Sequence, residues 1–205
     1  MTRCELRELA VRLSAIQAIV MALPRGPGFG FAASYQDRLP HADWDGVVAA
    51  ELARSRHRIR SGGVFSELCV DRVAAAAQGW ARHFAGVAPT PFLHDITTKN
   101  VIVDHGRLSG IVDVDDLCFG DPLFLLGLLR MALLARDDDL TYADAWVEIL
   151  RLDAAQTAVL NFYTALFCVN FMGELGRRFN RSTPVPVNPA YAARLRVVLD
   201  RYLSC

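Results

Sequence analysis

Lysine, paired cysteines and long apolar runs are all scarce in this chain of 205 residues. Lys99 is the one lysine, and the 22 basic Lys and Arg residues are balanced by 22 acidic ones, so no excess of positive charge favours a nucleic-acid partner. The five cysteines are scattered and form no Cys-x-x-Cys pair, which argues against a zinc site or a disulfide framework and favours a cytoplasmic protein. The longest apolar run, residues 123–135, is interrupted by Arg130 and falls short of the about 20 residues that a membrane span needs.

The chain does have enough apolar character for one sizeable core. Hydrophobic residues make up 53% of it, which predicts a single domain over residues 1–205. Apolar residues at spacings of three and four predict helices, while residues 101–112 have the pattern of a short hairpin with a Gly-containing turn. We expect an α+β fold that is predominantly α-helical, with a small buried β-hairpin at its centre. The predicted helices span residues 5–22, 44–59 (with Asp43 as N-cap), 66–84, 122–135, 141–150, 154–178 and 190–203, and residues 24–43 are predicted to be irregular.

The stretch most suggestive of chemistry surrounds this hairpin. Asp95 and Asn100 stand in the loop before the hairpin, and Asp113 follows it, so the turn of the chain can bring all three together. Carboxylate and amide oxygens are the ligands of a hard cation such as Mg²⁺ with bound phosphate. A carboxylate that is not on the metal can accept the proton of an attacking hydroxyl, as phosphoryl transfer requires. The alternative is that these residues only serve turns and caps around the hairpin.

The same residues resemble the aminoglycoside phosphotransferase and choline kinase group, which shares the protein-kinase-like fold. Its pattern is H-G-D-x-x-x-x-N, a hairpin, I-D eighteen residues after the first Asp, and then G-D-P. Asp95, Asn100, Asp113 and the run 120–122 stand at those spacings. The resemblance implies that Asp95 is the catalytic base and that Asn100 and Asp113 bind Mg²⁺ and, with it, ATP.

The chain departs from this pattern at three places. His94 directly precedes Asp95, with no glycine between them; Val114 replaces the Trp or Phe after the metal aspartate; and Leu125 replaces the last acidic residue of the family. His94 has two readings: it contacts phosphate or polarises Asp95, or it donates a structural hydrogen bond to neighbouring backbone, which we favour.

Three further acidic or basic features have a functional and a plain reading. Lys99 can reach the γ-phosphate of ATP, or it is a solvated side chain. Asp115 is predicted as a further metal ligand: with Asp116 it can bind a second metal or a cationic substrate, while the alternative is that one of the two caps the following turn and the other is solvated. The acidic run 137–139 can line a pocket for a polyamine-like substrate, as in the aminoglycoside-modifying relatives, or it is a helix start on the solvated surface.

The resemblance covers only the C-terminal lobe of such a kinase. The family's N-terminal β-lobe supplies a Gly-rich loop and a phosphate-anchoring lysine. The residues before Asp95 read as helices, and they contain no lysine. We therefore expect a C-lobe with the N-lobe absent, which a truncated reading frame would explain.

Two functions are compatible with such a chain. The first is an ATP- and Mg²⁺-dependent phosphotransferase that acts on a hydroxyl of a small molecule of the aminoglycoside, choline or sugar kind. The second is an inactive, pseudokinase-like C-lobe that forms a homo-oligomer or pairs with a separate N-lobe through the apolar surface that the small lobe would otherwise cover.

Overall fold

The computed structural model describes residues 1–32, 38–114, 117–176 and 186–203, and these form helices and two small sheets. The helices are α1 (Arg3–Met21), α2 (Trp44–Gly62), α3 (Leu68–Gln78), α4 (Ala81–Gly86), α5 (Leu123–Arg136), α6 (Thr141–Leu150), α7 (Ala154–Glu174) and α8 (Pro189–Leu203). The strands are β1 (Gly30–Ala32), β2 (Thr90–Leu93), β3 (Val101–Asp104), β4 (Arg107–Ile111) and β5 (Leu117–Gly120), and a 3₁₀ turn covers Thr98–Asn100. The predicted α+β class with mostly helical content is confirmed.

Side-chain caps fix where several helices begin. Thr2 and Glu5 form a capping box at the start of α1. Asp43 accepts a hydrogen bond from the Gly46 amide at 2.8 Å, as predicted for the start of α2. The predicted helix over 66–84 is wrong in one respect, because Gly79 and Trp80 interrupt it and divide it into α3 and α4.

The hairpin lies where the sequence predicts it, between β3 and β4. His105 and Gly106 occupy its turn with φ of 45° and 75°, the left-handed conformation that two-residue hairpin turns require. The hairpin is not buried, however: exposed and partly buried residues alternate along β3, and Ile102 is 49% exposed.

A second sheet was not predicted. Strand β5 lies at its centre, paired antiparallel with both β1 and β2, so that Leu117 faces Ala32 on one side and Leu93 on the other. The predicted irregular segment 24–43 thus contains a strand. This sheet fixes the end of β2, from which the loop with Asp95 emerges.

The core lies mainly between α5 and α7, flanked by α2 and α8. The predicted helix over 122–135 is observed as α5 and is largely buried, and Arg130 within it donates to the Asn161 side chain at 3.0 Å and lies over the Tyr202 ring. Within the part of the chain that the structure describes, no helix is both long and apolar enough to cross a membrane.

Candidate functional site

A short loop and the base of the hairpin bring the predicted site residues together. Strand β2 leads into the loop at 94–100, and β4 ends just before Asp113. The Val112 amide donates to the Asn100 carbonyl oxygen at 2.9 Å, which closes the base of the hairpin. Asp113 therefore follows directly on a residue that is bonded to Asn100.

Asp95 and Asp113 line one pocket of about 140 Å³. The other lining residues are Leu93, His94, Ile96, Val114 and Leu128. Asp113 is exposed and has φ of 58°, a left-handed conformation that Asp and Asn tolerate better than other side chains. Asp95 and Asp113 therefore share one pocket, while the expected meeting of both carboxylates with the Asn100 amide around one cation stays a prediction.

Asp95 is held by two residues of its own loop. Its Oδ1 atom accepts from the Thr97 hydroxyl at 2.7 Å, and its Oδ2 atom lies 3.1 Å from the Lys99 ammonium. Partial burial raises the pKa of Asp95, but the Thr97 hydrogen bond and the Lys99 charge outweigh it, so that the pKa lies below its ordinary value. Asp95 is therefore an anion at neutral pH, as a proton acceptor must be.

Asn100 is buried and connects to the same loop. Its amide nitrogen donates to the Asp95 carbonyl oxygen at 3.0 Å. This bond engages the nitrogen only, so the amide oxygen, which is the atom a metal would take, is not used by it. The Asn100 side chain is not among the groups that line the 140 Å³ pocket.

His94 lies among aromatic rings rather than on backbone. Its ring stacks on Phe124 at 5.2 Å between centroids and meets the edge of Phe31 at 4.9 Å. The Nδ1 atom has no hydrogen-bond partner among the described residues, so the favoured prediction of a backbone donor is wrong for this nitrogen. Burial lowers the pKa of His94 to about 4, which keeps the ring neutral at neutral pH.

Each carboxylate of the acidic run 137–139 forms an ion pair with an arginine. Asp137 lies 3.4 Å from Arg194, Asp138 lies 2.7 Å from Arg136, and Asp139 lies 2.9 Å from Arg3. The predicted polyamine-binding role is therefore not supported by its surroundings, since each carboxylate already has a cation beside it. Asp115 and Asp116 lie outside the described residues, and the predicted metal-binding role of Asp115 stays a prediction.

The run 120–122 has a structural role. Asp121 accepts from the Leu123 amide at 3.0 Å and from the Tyr163 hydroxyl at 2.8 Å, and its Oδ2 atom lies 2.7 Å from Nε2 of His83. The carboxylate thereby caps α5 and connects it to α4 and α7.

The described residues hold no group of three or more His, Cys, Asp and Glu side chains that could bind a metal. A Mg²⁺ ion here would take the Asp113 carboxylate, the Asn100 amide oxygen, phosphate oxygens and water. That set fits the ion, because Mg²⁺ in phosphoryl-transfer sites keeps several waters and uses one or two carboxylates with substrate phosphates.

The comparison with known proteins identifies the family of this chain. A family model described as the phosphotransferase enzyme family matches residues 5–160. The chain belongs to this family. No curated protein matches the chain significantly in sequence.

Solved structures of aminoglycoside phosphotransferase APH(4)-Ia have a similar fold. A ternary complex of a thermostable mutant with AMP-PNP and hygromycin B matches with a TM-score of 0.68 and 16% identity, over 100% of this chain and 66% of that one. The apo form of a thermostable mutant matches with a TM-score of 0.66 and 16% identity, over 98% of this chain and 67% of that one. This chain thus spans about two thirds of the length of the chains in those structures. The predicted absence of an N-lobe stays a prediction.

Sequence reasoning missed two contributions to the site. Thr97 holds Asp95, and the spacing Asp-x-Thr, typical of an Asx turn, was a signal that could have identified it. Arg136 donates to the Thr98 hydroxyl at 3.0 Å from the end of α5. Because 38 residues separate the two, no local pattern predicts that contact.

Proposed function

We propose that this phosphotransferase-family chain binds Mg²⁺ and ATP and transfers the γ-phosphoryl group to a hydroxyl of a small molecule. The observation that carries the proposal is the shared pocket of Asp95 and Asp113, with Asp95 held as an anion. Positioning and charge neutralisation do most of the work in phosphoryl transfer, and the pocket supplies groups for both.

Each residue then has at least one task. Asp95 accepts the proton of the acceptor hydroxyl as the oxygen attacks, while Thr97 fixes the direction of its carboxylate. Asn100 and Asp113, with Asp115 as a predicted third ligand, would hold Mg²⁺, which when bound neutralises the charge of the phosphates. We assign Lys99 to the bound nucleotide, because its ammonium is exposed and lies beside the Asp95 carboxylate.

The similar structures support this assignment by their ligands and by a spacing. Three of the ternary complexes hold AMP-PNP or ADP together with hygromycin B. The same three carry an alanine in place of an aspartate or of one of two asparagines, which follow the aspartate by four and five positions. Asp95, Lys99 and Asn100 stand at the same spacing, with lysine in the place of the first asparagine.

The experiment is a thermal melt of the chain with Mg²⁺ and AMP-PNP. A ligand at a hundredfold excess over its Kd adds about 2.7 kcal/mol to the folded state, which for a chain of this length raises Tm by about 5–10 °C. We expect Asp113→Asn to lose this shift, while its Tm without ligand is unchanged because Asn also tolerates the left-handed conformation.

Asp95→Asn separates chemistry from binding. The variant should keep the Tm shift and lose phosphoryl transfer to an acceptor, measured as ADP release, by at least a hundredfold. Transfer by Asp95→Asn at the rate of the unchanged chain would contradict the proposal, and so would the absence of any Mg²⁺-dependent shift.

One observation favours the alternative function. Ile102, Val112 and Val114 are exposed apolar residues around the hairpin base, beside the pocket. In the alternative they meet a second copy of the chain or a separate N-lobe, and no chemistry occurs. This alternative predicts self-association in light scattering together with a Tm that Mg²⁺ and AMP-PNP do not change.

A further inference from the structure

Ion pairs already engage several of the described carboxylates at and near the loop at 94–100. Each carboxylate of the run 137–139 has an arginine beside it, and one of these, Arg136, also donates to Thr98 in the loop. Asp95 lies against Lys99, and under the proposed function Asp113 belongs to the metal. Each of these described carboxylates thus has a cation assigned to it.

Lys99 also offers positive charge to a ligand. Its side chain is 59% exposed, and its ammonium carries three donors: Asp95 accepts one, the nucleotide of the proposed function would take a second, and one remains for another anionic group. The Asp95 carboxylate still has lone pairs beyond those that Thr97 and Lys99 use, so an acceptor hydroxyl can donate to it with Lys99 in place. An anionic group next to that hydroxyl would then meet the Lys99 ammonium.

We infer that the acceptor of this phosphotransferase carries a carboxylate or phosphate close to the hydroxyl that is phosphorylated, and that Lys99 selects it. The inference rests on the proposed function and gives its substrate class. It sets this chain apart from aminoglycoside phosphotransferase APH(4)-Ia, in which the alanine substitutions show an asparagine four positions after the aspartate. A neutral amide carries no charge that could select an anionic group, whereas a lysine ammonium does.

The inference can be tested with three polyols of equal length that differ in the group at one end and therefore in charge. Gluconate is an anion, sorbitol is neutral and glucamine is a cation. Affinities are measured by NMR titration of the full chain with Mg²⁺ and AMP-PNP, at low and at high ionic strength. The attraction or repulsion of a unit charge about 4 Å away in water changes a binding affinity about fivefold. We therefore expect gluconate to bind about fivefold more tightly than sorbitol, and glucamine about fivefold less tightly.

Two variants test whether Lys99 causes this order of affinities. Lys99→Gln should bring the three affinities within about twofold of one another, and Lys99→Arg should restore the order. Arg12→Gln is the matched control, because it removes one positive charge from an ion pair with Glu8 on the surface of α1, and it should leave the order unchanged. High ionic strength should compress the differences in the unchanged chain.

Failure of the inference is distinct from failure of the proposed function. Equal affinity for the three polyols, tighter binding of glucamine, or binding of none overturns the inference. The proposed function is judged separately by the Tm shift with Mg²⁺ and AMP-PNP, which needs no acceptor.

Discussion

Asp95 owes its lowered pKa to residues two and four positions further along the chain. Thr97 donates to one carboxylate oxygen and Lys99 lies beside the other, so the carboxylate is set by its own loop. Such local contacts can be predicted from spacing, as the Asp-x-Thr pattern illustrates. The contact of Arg136 with Thr98 cannot, because the helix packing that produces it involves the whole fold.

His94 gives a prediction about pH. Its pKa of about 4 in the folded protein lies below the ordinary value of 6.5, because protonation would place a charge among phenylalanine rings. Between these values only the unfolded chain binds the proton, so the free energy of unfolding should fall as the pH drops from about 6.5 to about 4. The loss due to His94 is at most about 3 kcal/mol. Urea unfolding at a series of pH values measures it.

His94→Phe isolates this contribution from the carboxylates that titrate in the same range. The variant fits the aromatic surroundings and cannot bind a proton, so its stability should depend less steeply on pH than that of the unchanged chain. His105→Asn in the exposed hairpin turn is the control and should follow the unchanged chain. Parallel pH profiles for His94→Phe and the unchanged chain would contradict the prediction.

At the scale of elements, local signals identified the helices and tertiary pairing produced the second sheet. Asp43 and the three- and four-residue spacing were sufficient to place α2. Strand β1 is only Gly30–Ala32, and it is a strand because β5, more than eighty residues later, pairs with it. Since β-structure depends on such partners, a run of three residues has no signature of its own.

Gly120, at the end of β5, gives a prediction about the packing of elements. A Cβ atom there would lie 1.9 Å from a ring atom of Trp44, and the residue has φ of 156°. Gly120→Ala should therefore lower the free energy of unfolding by about 3 kcal/mol or more, through overpacking and backbone strain. Chemical denaturation measures this loss.

Gly110 in β4 is the matched control. A Cβ atom at this position would meet Ile102 at 3.8 Å, an ordinary van der Waals distance, so Gly110→Ala should change stability by less than about 1 kcal/mol. Equal losses at the two glycines would show that the contact of Gly120 with Trp44 does not limit the packing.

At the scale of the whole molecule, one chain of hydrogen bonds joins elements that lie far apart in sequence. The Trp44 indole donates to the Tyr163 hydroxyl at 2.7 Å, and that hydroxyl donates to Asp121, which also bonds His83. These hydrogen bonds connect four elements: α2, α7, the start of α5, and α4. The sequence identified Asp121 through a family motif, but its partners could be found only in three dimensions.

Tyr163 stands in the middle of this chain, and its loss should weaken the molecule as a whole. Burial and the Asp121 carboxylate raise the pKa of Tyr163 far above its ordinary value, so the hydroxyl stays protonated and donates. Tyr163→Phe leaves the buried Trp44 N–H without its acceptor and the Asp121 carboxylate short of a donor. Each such deficit costs about 1–3 kcal/mol, so we expect a total of about 2–4 kcal/mol in urea unfolding.

Tyr142→Phe is the comparison that makes this prediction specific. Tyr142 is equally buried, but its hydroxyl donates to a neutral acceptor, the Ile96 carbonyl oxygen at 3.2 Å, and not to a carboxylate, so its loss should cost about 1 kcal/mol. Because Tyr163 connects four elements, its variant should unfold in one transition with an unchanged m-value and a lower midpoint. A loss no larger than that of Tyr142→Phe would mean that the hydrogen-bond chain does not couple these elements, and that apolar packing of α5 on α7 alone holds them together.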